Sequence, residues 1–379
     1  MPHKCGWNNV IIPQVRAGRK PENRAEEKNF DERGKEWYNR RTKGPHAAME
    51  DAMRILVYSF RDFDEKEYFD ALCAKEGFSY ATCPDYPSVE NAHLAKGCDA
   101  ISIIVTDMNE ALLTALREQG VKYILTRSIG TEHIDMKAAR RLGLRVASAV
   151  YSPDSVANYA IMLMLMCCRK FPYVLDRAKI QDYSLPGKRG RELSAMTVGV
   201  IGTGRIGRTV LSHLSGFGCR LLGYDAYPSG EAAALCEMVD LETIYRECDV
   251  ISLHCPATKE NHHMIGAEAI AKMKPGVIII NTARGGLIDT MALIDGLESG
   301  HIGAAGLDVI ENEYGLYYIN HTGRAMKNRE LALLSSFPNV IAAPHAAFYT
   351  DVSVYDMVRC TVEACAAFER GEPYPYEVK

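Results

Sequence analysis

The chain has 379 residues, 47% of them apolar and 24% charged, with a net charge of −4. That length exceeds what one hydrophobic core usually organises and points to two domains. The charge balance gives no basic field for nucleic acid or an anionic membrane. The 12 cysteines are scattered, form no CxxC pair and often lie in apolar runs, so they read as reduced thiols of a cytoplasmic protein.

Residues 1–50 are polar and lack sustained periodicity; 11 of the first 49 are Lys or Arg. No apolar core of a secretory signal interrupts them. Disorder is the expectation, with an upstream start codon as the alternative, since Met49 and Met53 both precede the first clear strand. From Met53 the pattern alternates strand and helix. Strands are expected at 53–58, 100–105, 121–125 and 144–148, with helices around Phe63–Leu72 and Leu112–Leu116. A second series follows at 196–201, 220–224, 250–253, 277–280, 303–308 and 340–343, six strands in all. Such βα alternation predicts parallel sheets covered by helices on both faces. The apolar stretch Ala157–Cys168 follows a helix-start signal and is too short to span a bilayer, so it reads as a buried helix, with a subunit contact as one use. One further helix, Val354–Phe368, is too little for a third domain and is expected to return to the first.

The middle of the chain carries Val198-Gly-Val-Ile-Gly-Thr-Gly-Arg-Ile-Gly207 between a strand-type run and a helical one. Gly202 suits the tight turn, Gly204 the approach of a pyrophosphate and Gly207 the packing of helix on strand. A diphosphate there would meet the free N–H groups of a helix N-terminus. Eighteen residues past Gly207, at the end of the next strand, stands Asp225, placed for a ribose hydroxyl. A carboxylate repels a 2′-phosphate, and Ala226 and Tyr227 supply no cation, so NAD is expected over NADP.

Three other groups follow strands of the same series. Arg284 offers a bidentate fork for a carboxylate. His345 is a proton donor suited to neutral pH. Glu313, five residues after Asp308, is placed to favour the charged ring. A cation, an acid and a carboxylate that tunes it are what hydride transfer to a 2-oxo acid requires of a protein. The adjacent His262 and His263 lie in a polar loop without further ligand-type spacing, so no metal is expected.

The chain from about Met53 to Val378 resembles the D-isomer-specific 2-hydroxyacid dehydrogenases, and within them the D-lactate dehydrogenase subgroup that includes the VanH-type enzymes. The matching segments are Thr126-Arg-Ser-Ile-Gly-Thr-Glu-His-Ile-Asp135, Ala149-Val-Tyr-Ser-Pro-Asp-Ser155, the glycine turn, Asn281-Thr-Ala-Arg-Gly285, Gly306-Leu-Asp-Val-Ile-Glu-Asn-Glu313 and Pro344-His-Ala-Ala-Phe-Tyr-Thr350. The resemblance implies an α/β fold of two Rossmann-like doubly wound parallel-sheet domains. An NAD domain (151–347) would be inserted in a flavodoxin-like substrate domain (53–150 and 348–379). It implies that Arg284 holds the substrate carboxylate with backbone help from Ile129 and Gly130. His345 would donate the proton, Glu313 orient it, and Tyr151 and Phe348 line the side-chain pocket. For the cofactor it implies Arg205 and Ile206 at the pyrophosphate, Asp225 at the ribose, Cys255 and Pro256 at the adenine, with Asn261, Thr282, Ala283 and Asp308 completing the set and Asp308 near the nicotinamide amide. Two positions depart from the pattern. VanH-type sequences lack an acid matching Asp225, so their NADPH habit does not carry over, and position 255, commonly Val, is Cys. The implied activity is reduction of pyruvate to D-lactate with NADH by a homodimer joined near 157–168. A larger 2-oxo acid such as phenylpyruvate or 2-oxoisocaproate is the alternative substrate, and a nucleotide-sensing corepressor the alternative class.

Overall fold

The structure, a computed structural model, describes residues 52–313 and 315–378. The expected disordered extension therefore lies outside the described residues. The first lobe runs β1 (Arg54–Tyr58), α1 (Lys66–Glu76), β2 (Ser79–Cys83), β3 (Ala100–Ile103), α2 (Glu110–Glu118), β4 (Tyr123–Thr126), α3 (Met136–Arg141) and β5 (Arg145–Ser148). Its five strands are all parallel, in the order β2-β1-β3-β4-β5.

Next come α4 (Asp154–Cys168), α5 (Phe171–Lys179), β6 (Thr197–Ile201), α6 (Arg205–Leu214), β7 (Arg220–Tyr224), α7 (Gly230–Ala233), β8 (Glu237–Met238) and α8 (Leu241–Glu247). They continue with β9 (Val250–Leu253), α9 (Ala267–Lys272), β10 (Val277–Asn281), α10 (Thr290–Glu298), β11 (Ile302–Leu307), α11 (Arg329–Leu334) and β12 (Val340–Ala342). These seven strands form a second parallel sheet, β12-β11-β10-β9-β6-β7-β8. The order reverses between β6 and β9, and ligands of such sheets bind beyond the strand ends at that crevice. The final helix, α12 (Asp351–Glu369), packs on α1, β4 and β5 of the first lobe. Val358, Val362, Cys365 and Phe368 close the core around Ile55, Val57 and Phe69.

The central strands β3, β9 and β10 are buried along their whole length, as their largely apolar sequences require when helices cover both faces. Two strands escape that signal, so the expected four and six become five and seven. Ser79–Cys83 is an edge strand with alternating exposure, and Glu237–Met238 is a two-residue extension beyond β7. Helix α4 is buried against α6, β10 and β11 of its own chain, which explains its apolar composition without a partner. No described helix is long and apolar enough to cross a membrane. The described cysteines are free thiols, most of them buried.

Candidate active site

The glycine turn joins β6 to α6 as the sequence predicts, with Gly204 as N-cap and Arg205 and Ile206 opening the helix. Gly202 has φ 92°, and a Cβ there would sit 2.5 Å from the Cys255 nitrogen. Gly207 lies directly against the Gly202 carbonyl, leaving no room for a side chain. A Cβ on Gly204 would instead enter open space at the head of the helix, where a phosphate has room to reach the backbone N–H groups. Asp225 directly follows β7, and its Oδ2 accepts from the Thr203 N–H at 2.6 Å, which ties it to the turn. The Tyr227 N–H donates to the other oxygen at 2.9 Å.

On the far side of the turn, burial pushes the Cys255 thiol up to about 11, so it stays protonated as an apolar wall beside Pro256. Asn261 uses its amide within its own loop, accepting from Thr258 N–H and donating to the Pro256 carbonyl at 2.8 Å. Thr282 follows β10 with its hydroxyl buried and without a protein partner, next to Ala283, whose N–H is held by Asn281. A buried orphan hydroxyl, an open cradle at Gly204 and a carboxylate fixed beside the turn all suit a bound dinucleotide.

His345 follows β12 in a left-handed conformation, φ 53°, rare for a residue with a side chain. The chain pays for that strain with four bonds. His345 N–H donates to the Asp308 carbonyl at 2.9 Å, and Ala346 and Ala347 N–H donate to the two carboxylate oxygens of Asp308 at 2.8 and 2.9 Å. Tyr318 donates its hydroxyl to the His345 carbonyl at 2.7 Å. Asp308 thus braces the histidine turn, and any nicotinamide amide has to share those oxygens. Burial raises its carboxyl above the usual range, against the pull of the Ala347 and Ala346 N–H groups and of His345.

Glu313 reaches His345 with Oε1 2.8 Å from Nδ1. A carboxylate only accepts, so Nδ1 carries the hydrogen and Nε2 is left for a substrate. Arg284 N-caps a short turn after β10, and its guanidinium occupies the space that a Cβ on Gly130 would fill. It also lies 3.5 Å from the Glu132 carboxylate. Gly130 is held in turn by Ser128, whose hydroxyl donates to its carbonyl at 2.7 Å, while neighbouring Ile129 is exposed. Tyr151 and Phe348 meet with ring centroids 6.4 Å apart over Ala149, Met357 and Cys360. Burial pushes the Tyr151 phenol up to about 12, with Arg284 near enough to oppose it. Phe348 also meets His345 edge-on at 6.4 Å. Arg284, Tyr151, Phe348 and His345 are thus linked as successive neighbours.

Three contributors were not legible in the sequence. Tyr318 sits in a long loop without periodicity, Thr203 is an unmarked position of the glycine turn, and Glu132 is a polar residue of a polar loop. Only the fold brings each to its partner.

The fold and site define an NAD-dependent oxidoreductase acting on a CH–OH group. Residues 161–347 match the family described as D-isomer specific 2-hydroxyacid dehydrogenase, NAD binding domain. The chain is 45% identical over 320 residues to an aromatic 2-oxoacid reductase of Clostridium sporogenes, covering 84% of this chain and 96% of that protein. It is 42% identical over 324 residues to a D-specific alpha-keto acid dehydrogenase of Enterococcus faecalis, covering 85% and 99%. The apo-structure of D-lactate dehydrogenase from Escherichia coli superposes with a TM-score of 0.77 at 38% identity, covering 86% of this chain and 100% of that one. The chain belongs to the D-isomer-specific 2-hydroxyacid dehydrogenase family.

Proposed function

We propose that the enzyme reduces pyruvate to D-lactate with NADH, with Arg284, Glu313 and His345 in the roles their positions suggest. The observation that carries this is the Glu313–His345 contact at 2.8 Å in a turn braced by Asp308. Bound NADH supplies the hydride. Arg284 and the Gly130 backbone hold the acceptor carboxylate by charge-assisted hydrogen bonds. His345 gives the proton on Nε2 to the carbonyl oxygen, and Glu313 keeps the ring oriented and stabilises the charged form before transfer. Gly204, Arg205 and Ile206 carry the pyrophosphate on the turn that Gly202 and Gly207 shape, Asp225 the ribose, and Cys255, Pro256, Asn261, Thr282, Ala283 and Asp308 border the remainder. Residues 53–150 and 348–379 act as the substrate domain and 151–347 as the NAD domain.

A wall of Tyr151 and Phe348 favours a small acceptor. A second substrate reading has its own support. Tyr318 is 56% exposed although its hydroxyl is anchored, and its ring lies 6.3 Å from those of His345 and Phe348. An apolar ring presented beside the proton donor suits an aromatic acceptor, in keeping with the aromatic 2-oxoacid reductase relative. Steady-state kinetics with NADH across pyruvate, 2-oxoisocaproate and phenylpyruvate separates the two: a highest kcat/KM for pyruvate supports the first, for phenylpyruvate the second. No turnover of any of them overturns both.

We further propose a cytoplasmic homodimer whose contact includes α5 and the segment after it, next to the expected contact at 157–168. Phe171, Leu175, Ile180, Tyr183 and Leu185 are exposed on α5 and the segment after it. Sedimentation of wild type against Leu185→Glu checks this, with a shift to monomer expected.

A further inference from the structure

We propose that His262, His263 and Glu311 form a binding site for a borderline-soft divalent transition metal such as Zn²⁺. Sequence spacing finds no third ligand for the histidine pair, and the fold supplies one from 48 residues away. One donor atom from each of the three residues lies within 4.8 Å of the others. Zinc holds nitrogen and oxygen at roughly 2.0–2.2 Å, so small side-chain rotations bring the three into one coordination sphere.

Two of the ligands are already fixed. His263 has φ 55°, its N–H donates to the Gly286 carbonyl at 2.9 Å, and its Nε2 lies 2.7 Å from Glu311 Oε1. Without a metal, Nε2 carries the hydrogen that Glu311 accepts; a metal displaces that proton, and the other ring nitrogen, facing the Asp289 carboxylate at 3.9 Å, is placed to hold the remaining one. Glu311 is pinned through Oε2 by the Thr290 N–H at 3.2 Å and hydroxyl at 2.7 Å. The third, His262, is exposed and stacks on His263 at 3.8 Å, free to swing its ring to the metal.

The donor set selects the ion. Two imidazoles and one carboxylate suit Zn²⁺, Ni²⁺ or Cu²⁺, whereas Mg²⁺ and Ca²⁺ prefer oxygen alone. Three protein ligands leave a position for water. The site is also placed to be felt by the cleft. Gly285 packs directly on Ile310 and the Glu311 nitrogen, Asn261 adjoins His262, and Glu313 lies two residues beyond Glu311. A bound metal therefore ties the 261–263 loop to the turn carrying Arg284 and to the strand end leading to Glu313.

Calorimetric titration of the full chain with ZnCl₂, under a non-thiol reductant that keeps the cysteines reduced, tests the site. One saturable equivalent is expected, bound at least tenfold more weakly by His262→Ala and by Glu311→Gln. Because Glu311 also tethers Thr290, His262→Ala is the variant that leaves the fold undisturbed. With Co²⁺ as probe, a nitrogen/oxygen visible spectrum without a thiolate charge-transfer band is expected. Absence of saturable binding, equal affinity in His262→Ala, or a thiolate band that places the metal on cysteine would each overturn the proposal.

Discussion

The Arg284 guanidinium, together with the Glu132 carboxylate, fills the space above Gly130 that any other residue's Cβ would take. The two lie on different lobes, so the absence of one methyl group lets the nucleotide-side arginine reach the substrate-side loop. Gly130→Ala is expected to push Arg284 aside and weaken 2-oxo acid binding. The expected loss is about tenfold in kcat/KM, worth roughly 1.4 kcal/mol, with the KM for NADH unchanged. Steady-state titration of each substrate against saturating partner checks it.

The loop that carries Gly130 hangs on a buried ion pair. Arg127 Nε lies 3.0 Å from Glu65 Oε1, both side chains fully buried, and the same guanidinium donates to Ser102 and to the Tyr58 carbonyl at 2.9 Å. Removing one partner strands the other charge. Glu65→Ala should therefore cost about 3–5 kcal/mol of stability in chemical denaturation. A loss under about 1 kcal/mol would mean that the charge is solvated by other means.

Acid should loosen the fold through two histidines. Burial holds His254 and His133 down at about 4, against an ordinary 6.5. In this window the unfolded chain binds more protons than the folded one. The stability these groups contribute is thus complete above pH 6.5 and lost as pH falls from 6.5 to 4. For the partly buried His254 the span amounts to at most about 3 kcal/mol. A series of Tm measurements across that range should decline steadily, and His254→Gln should flatten the decline.

Asp225, held by Thr203 at 2.6 Å, should repel a 2′-phosphate. Asp225→Ser is expected to narrow the NADH over NADPH preference by at least about tenfold, the equivalent of 1.4 kcal/mol. Equal preference in variant and wild type would remove Asp225 from cofactor choice.

Much of this architecture is readable along the chain because parallel strands buried on both faces are continuous apolar runs, such as Val277–Ile280. Strand β2 is not, since at a sheet edge Ser79–Cys83 keeps alternate residues in water and loses that signature. Local spacing likewise presents Gly202, Gly207 and the pair Asp308 and Glu313, whose positions depend on near neighbours in sequence. Tyr318 and His345 are 27 residues apart and Glu311 and His263 are 48 apart. Such contacts come from tertiary packing, and no helical or strand period encodes them.

The central claim is that His345, oriented by Glu313, protonates the acceptor while NADH reduces it. The most direct test is kcat for His345→Gln beside wild type, with NADH and the preferred 2-oxo acid. Wild type is expected to form the D-hydroxy acid and the variant to lose about 10²–10⁴-fold, the usual worth of a positioned acid, with the NADH dissociation constant unchanged. Wild-type turnover by the variant would contradict it.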